Sequence, residues 1–256
     1  MKKTNISIVG SGNVATHLAI AFHTAGCTIR QVMSRSFDHA QNLAMRVGAR
    51  PTDRVGDLDE DVDVCLLCVS DDALYDLGLD MHMPSTLVLH TSGSTPASVL
   101  RRVTTRYGVL WSPQTFVRDI AMDYSLLPLC IEGCNATVEQ DIEQLVRLVS
   151  SHVYHLDGEQ RQQAHLAAVM VSNFVNAVNA TAQEYMQEHG LDFAMLRPLA
   201  EQTLRKWDYG DLRAQQTGPA RRHDQKTIDL QRRLLADQPE MLRLYDHMTE
   251  LIERNA

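Results

Sequence analysis

Near the start of the chain stands a turn with chemical potential, Gly10-Ser11-Gly12-Asn13-Val14-Ala15. It follows a short apolar run and opens a helical pattern. In a G-x-G-x-x-A sequence of this kind Gly10 permits the tight turn and Gly12 lets the backbone approach a pyrophosphate. Ala15 lets helix and strand pack closely, while Ser11, Asn13 and Val14 bring main-chain amides to the helix N-terminus, where an anion is favoured. Glycines also end strands for purely structural reasons. The position of this turn, between a strand and a helix with a second strand following, favours dinucleotide binding.

The end of the second strand decides which dinucleotide. A site selective for NAD places a carboxylate against the adenosine ribose there, whereas this chain offers Ser34-Arg35-Ser36. A guanidinium between two hydroxyls suits a 2′-phosphate, so the expected cofactor is NADP. The nicotinamide end should then lie outside the carboxyl ends of later strands. Two segments stand there: Val69-Ser70-Asp71-Asp72, and His90-Thr91-Ser92-Gly93-Ser94. Val69, Ser70, His90, Thr91 and Ser92 are therefore candidate cofactor contacts. Asp71 and Asp72 read either as helix caps or as catalytic carboxylates. Gln114 and Thr115 could reach the same cleft.

Further along, His165, Ser172, Asn173, Asn176 and Asn179 interrupt an apolar stretch at 164–182. At 100° per residue Ser172 falls about −20° from His165, Asn176 about +20° and Asn179 about −40°, which makes one polar stripe with Asn173 beside it. Such a stripe either stitches two helices together or faces the nicotinamide cleft. In the second case His165 is the proton donor, since an imidazole titrates near neutrality, and Ser172 and Asn173 position the substrate. Thr217-Gly218-Pro219-Ala220-Arg221-Arg222-His223-Asp224 is the other dense cluster. Arg221 there is a candidate clamp for an anionic substrate group, unless the segment is simply an interhelical turn.

These residues need a scaffold, and the apolar pattern supplies one. Strand-like runs at 6–10, 28–33, 62–69, 86–90, 108–111, 127–132 and 152–156 alternate with helical patterns at 14–24, 37–47, 73–79, 95–107 and 138–150. That alternation implies an α/β domain, a doubly wound and mostly parallel Rossmann sheet. Beyond 157 only helical spacing recurs, at 159–189, 192–207, 223–236 and 238–254. The expected organisation is an NADP-binding domain over 1–156 and an all-α domain over 157–256 for substrate and dimerisation. Leu166, Val169, Met170, Val171, Phe174, Val175 and Val178 make the long helix apolar nearly all round, which calls for cover on several sides, most economically by a second subunit.

Composition excludes other classes. With 24 Lys and Arg against 32 Asp and Glu, the net charge of the 256 residues is −8, and no segment gathers enough cations to follow a nucleic-acid backbone. The apolar runs fall short of a membrane span, and Met1-Lys2-Lys3 leads into polar residues and a glycine turn rather than a signal core, so a cytoplasmic protein is expected. Five cysteines make no disulfide framework. Cys65 and Cys68 spell C-x-x-C inside a strand, which would send them to opposite faces, and no metal site is expected.

Taken in order, these motifs resemble a bacterial family of Rossmann-like proteins that carry the C-terminal domain of unknown function 2520 and are described as NADP oxidoreductases. The resemblance rests on 8–15, Ser34-Arg35-Ser36, 90–94, Ser112-Pro113-Gln114-Thr115-Phe116, His165-Leu166-Ala167-Ala168-Val169 with Asn173, and Thr217-Gly218-Pro219-Ala220-Arg221. More distantly the layout is similar to pyrroline-5-carboxylate reductases, ketopantoate reductases and β-hydroxyacid dehydrogenases. These relatives imply NADP-linked hydride transfer to a small molecule (a carbonyl, hydroxy acid or imine) and a homodimer formed through the helical domain. The last two place a catalytic lysine on the long helix. No lysine occurs at 164–182, so their chemistry does not carry over. An NADPH-binding sensor or scaffold without turnover is the alternative reading.

Overall fold

The first strand, β1 (Asn5–Val9), is buried along most of its length and hands the chain to α1 (Asn13–Thr24) through the glycine turn. A computed structural model describes residues 3–255; Met1 and Lys2 of the N-terminal reading lie outside them. After α1 come β2 (Thr28–Met33), α2 (Phe37–Val47), β3 (Arg50–Thr52), β4 (Val64–Leu67), α3 (Asp71–Asp80), β5 (Leu87–His90), β6 (Tyr107–Trp111), β7 (Leu129–Gly133), α4 (Ala136–Val146) and β8 (Val153–His155). The strands form one sheet in the order β3-β2-β1-β4-β5-β6-β7-β8. Every neighbouring pair is parallel except β6 with β7. The order reverses between β1 and β4, the crevice where doubly wound sheets bind ligands. The expected Rossmann architecture is thus borne out.

The run Val64-Cys65-Leu66-Leu67 is buried throughout, as a strand covered on both faces must be. Its neighbour Cys68 belongs to the apolar cluster with Ile8, Leu66 and the α1 residues Leu18 and Phe22, whereas Cys65 belongs to the one with Val9, Leu67 and Leu74 of α3. The two thiols therefore face opposite sides, as the strand period requires.

Three expectations change. The pattern at 95–107 forms only a 3-10 turn, Ala97–Arg102. There the Thr104 hydroxyl binds the Thr86 carbonyl (2.9 Å) and accepts from the Arg106 amide (3.0 Å), which competes with a helix. Arg50–Thr52, not expected as a strand, pairs with β2 at the sheet edge, where its Pro51 is tolerated. The long C-terminal pattern at 159–189 is interrupted: α5 (Gly158–Ala168) passes through a π-helical segment, Val169–Phe174, into α6 (Val175–Glu188).

Compact packing gathers the chain up to Asn173 into one unit and Phe174 onward into another. The strand alternation ends at 156, but α5, which opens with a reciprocal Asp157–Gln160 cap, packs with the sheet unit through Arg161. The second unit comprises α6, α7 (Arg197–Arg205), α8 (Gln225–Leu234) and α9 (Pro239–Arg254), with short 3-10 turns between them. No helix among the described residues is long and apolar enough to cross a membrane.

Candidate active site

Gly10 sits at φ +115°, and a Cβ there would lie 2.1 Å from the Cys68 carbonyl oxygen, so only glycine lets β1 turn this close to β4. Gly12 is different. It is the exposed N-cap of α1, a Cβ on it would meet nothing within 4 Å, and no side chain caps the helix. No acidic residue occupies the first helical turn. The N-terminal amides of α1 are thus open to an anion. Asn13 donates to the Phe116 carbonyl (2.9 Å), and Val14 is half-buried. Ser11 shares a hydrogen bond with Ser34 (Oγ to Oγ, 2.8 Å), joining the turn to the end of β2. Ser36 caps α2 through the His39 amide, and Arg35 between them is exposed, with no ion pair among the described residues. An open helix end, a glycine cradle and an uncommitted guanidinium fit a phosphorylated dinucleotide.

The other strand ends contribute unequally. Val69 packs on the core beneath α3, and Ser70 is that helix's exposed N-cap. Asp71 lies one residue inside and is tied to the Ser94 hydroxyl. Burial raises its carboxyl pKa, but hydrogen bonds from Ser94, Ser92 and Thr95 outweigh that and hold it below the usual range. His90 is wholly buried, and its Nδ1 accepts from the Ser92 amide (3.2 Å). Burial, reinforced by the charge of Arg161, pushes this imidazole down to about 4. The Ser92 hydroxyl accepts from the amides of Ser94 (3.1 Å) and Thr95 (2.9 Å), so it builds the turn from inside. Thr91 is the member of this trio that lines a cavity.

That cavity, of about 130 Å³, lies beside the start of α1 and is walled by Val14, Leu18, Thr91, Leu110, Trp111, Ser112, Gln114, Phe116 and Leu129. A second one, of about 260 Å³, is lined by the segment Trp111–Thr115 together with His165, Ala168, Val169, Val171, Ser172 and Asn173. The two share Trp111, Ser112 and Gln114. The half-buried His165 ring meets the Trp111 indole nearly edge-on, with centroids 5.7 Å apart. A Cβ on Gly93 would fall 2.8 Å from its Cγ and Nδ1, so the loop after β5 must carry glycine there for the ring to fit. Ser172 bonds Thr115 (3.0 Å) and, like Asn173, is exposed.

His165, Ser172 and Asn173, expected together from their spacing, share one wall. Beyond Asn173 the stripe crosses into the second unit, and the π-helical segment Val169–Phe174 breaks the constant pitch on which it was drawn. Asn176 and Asn179 are in the second unit, and the Asn179 amide turns back onto the Val175 carbonyl (2.9 Å). Arg221 is also in that unit, exposed in the 3-10 turn Ala220–Arg222. Trp111 and Gly93 as walls for His165 were not anticipated, and neither was Arg161. The last is 1% exposed, one turn before His165, and pairs with Glu132 and the Thr95 carbonyl (2.6 Å). Gln162 adds a bond to the Ser94 carbonyl (2.9 Å), so α5 is pinned to the same loop that holds Gly93.

Residues 127–252 match a family described as a domain of unknown function, DUF2520. Residues 5–85 match one described as NADP oxidoreductase, coenzyme F420-dependent. Among solved structures, a Bacteroides fragilis protein assigned provisionally as an NADP oxidoreductase is 33% identical over 98% of both chains, with a TM-score of 0.92. The chain belongs to this NADP-dependent oxidoreductase family. The family and cofactor expected from the motifs are borne out.

Two other structures share the fold of this oxidoreductase at lower identity. A reductive aminase from Aspergillus terreus in complex with NADPH and ethyl-5-oxohexanoate is 18% identical over 99% of this chain and 93% of that one, with a TM-score of 0.74. An imine reductase from Myxococcus stipitatus in complex with NADP+ is 15% identical over 98% and 93%, with a TM-score of 0.67. No curated protein sequence matches the chain.

Proposed function

We propose that the chain reduces a small carbonyl or imine with NADPH, and that His165 gives the proton that completes the reduction. The observation that carries this reading is the shared wall. The cavity beside Val14 and Thr91 and the one containing His165 meet along Trp111, Ser112 and Gln114. Gly10–Val14 would hold the pyrophosphate, Ser34, Arg35 and Ser36 the 2′-phosphate, and Thr91 the nicotinamide side. The chemistry NADPH supplies when bound is a hydride for a polarised C=O or C=N carbon. The substrate heteroatom gains electron density in that step and needs a proton or fixed donors. His165 is held for that role between Trp111 and Gly93, while Ser172, Asn173 and Gln114 offer hydrogen bonds that orient the substrate. The test is NADPH oxidation across panels of small carbonyls and imines. Tight NADPH binding with no oxidation in either panel would instead favour a cofactor-binding sensor.

Arg35 carries the cofactor preference in this reading. NADPH should bind more tightly than NADH, and Arg35→Ala should erode that preference by roughly tenfold to a hundredfold, the worth of a charge-assisted contact to phosphate. Equal wild-type affinities in calorimetric titrations would refute it.

A two-fold homodimer also belongs to the proposal. Leu166, Met170, Val171, Phe174, Val175 and Val178 are all exposed in the single chain, a run that water covers poorly. Light scattering at micromolar concentration should report about twice the 28.8 kDa chain mass. A monomer there would contradict it. All five cysteines are free, which suits the reducing cytoplasm.

A further inference from the structure

Bound NADP brings negative charge from its pyrophosphate as well as from its 2′-phosphate, and the segments that surround the glycine turn supply little to balance it. Residues 10–16, 68–70, 90–95 and 112–116 contain neither lysine nor arginine. One cation reaches the turn itself from a distant part of the chain. The Arg118 guanidinium donates to the Ser11 carbonyl (Nη2 to O, 3.0 Å), across 107 residues of sequence. Its side chain is exposed, and no other hydrogen bond or ion pair of Arg118 occurs among the described residues. Of the five N–H groups on the guanidinium, the rest stay available.

The segment that delivers Arg118 is fixed to α1 just upstream. Asn13 holds the Phe116 carbonyl, and His17, buried in α1, holds the Val117 carbonyl through Nε2 (2.9 Å). A carbonyl only accepts, so Nε2 carries a proton, and Nδ1 shares a hydrogen bond with the Tyr124 hydroxyl (3.0 Å). The Phe116 ring packs on His17 at 5.2 Å. These contacts set the path of the backbone before Arg118, so less entropy is lost when its charge is used. The Ser11 carbonyl shares its peptide with the Gly12 amide, so a cation on the oxygen polarises that peptide and makes the amide a better donor on its opposite side.

We propose that Arg118 is a further cofactor-binding residue: the cation at the Gly10–Asn13 turn that neutralises the pyrophosphate, acting on NADPH and NADH alike. The inference rests on the reading of this turn as the dinucleotide site. It differs from the role of Arg35, which concerns the 2′-phosphate alone. The experiment is calorimetric titration of the full chain with NADPH and with NADH, comparing wild type, Arg118→Ala, Arg118→Gln and Arg35→Ala. Arg118→Ala should weaken both nucleotides by a similar factor, on the order of tenfold or more, and the penalty should shrink as salt is raised. Arg118→Gln keeps a donor for the Ser11 carbonyl but no charge, and should remain as weak. Unchanged affinities, a loss confined to NADPH, or restoration by glutamine would each overturn the inference while leaving the dinucleotide site intact. A wild-type chain that binds neither nucleotide would overturn both.

Discussion

His165→Ala should lower turnover by ~10²–10⁴ while NADPH affinity stays within a few-fold, the range expected when a general acid is removed. The separation of the two effects follows from where the ring sits. It lines the cavity with Ser172 and Asn173, and neither the Gly10–Val14 turn nor Arg35 is part of that lining. Its neighbours are Trp111 on one side and Gly93 beneath, and neither donates a proton that could replace it at neutral pH. Ser172→Ala should cost less, because Thr115, its partner at 3.0 Å, keeps a hydroxyl at the same wall. Single-turnover oxidation of NADPH, measured beside equilibrium titration of the same variant, separates chemistry from binding. Turnover equal to wild type would take His165 out of the reaction. Loss of NADPH binding together with a lower melting temperature would instead mean that the ring serves to pack α5 against the loop after β5.

The contrast between what the sequence disclosed and what it hid follows the range of the interactions involved. β2 and α2 were legible to the residue, because a β-rich run and an amphipathic helix capped by Ser36 and closed by Gly48 are local signals. The glycine turn was legible for the same reason. Thr95 through Tyr107 misled because its apolar spacing is helical, whereas the bond that decides it runs from Thr104 to Thr86, just before β5. The π-segment at Val169–Phe174 has no compositional mark, so a polar stripe drawn at constant pitch runs straight through it. Arg161 reads as a surface cation in a polar helix start. Its partners, Glu132 and Thr95, lie 29 and 66 residues away, and only folding shows that it is buried. Gly93 looked like a loop residue, and its importance is the close approach of an imidazole from a helix about 70 positions later.

Gly10→Ala and Gly12→Ala should fail in different ways, although both alter the same turn. At Gly10 the added methyl would have to pass through the Cys68 carbonyl, 2.1 Å away, and the backbone at φ +115° disfavours any side chain. The neighbour is main chain at the end of β4, which cannot rotate aside, so β1 and β4 must part locally. A loss of ~3 kcal/mol, or about 5–10 °C in melting temperature for a chain of this size, is expected, with NADPH affinity falling as the turn deforms. Gly12 has φ −75°, an ordinary value for alanine, and open space where the methyl would go. Gly12→Ala should therefore melt within a degree or two of wild type. It should still bind NADPH at least tenfold more weakly, because the space its methyl fills is the space through which a pyrophosphate approaches the amides of α1. Thermal melts and titrations of both variants decide the matter. Equal melting temperatures would mean that β1 and β4 tolerate a side chain at Gly10. Full NADPH affinity in Gly12→Ala would place the phosphates somewhere other than this turn.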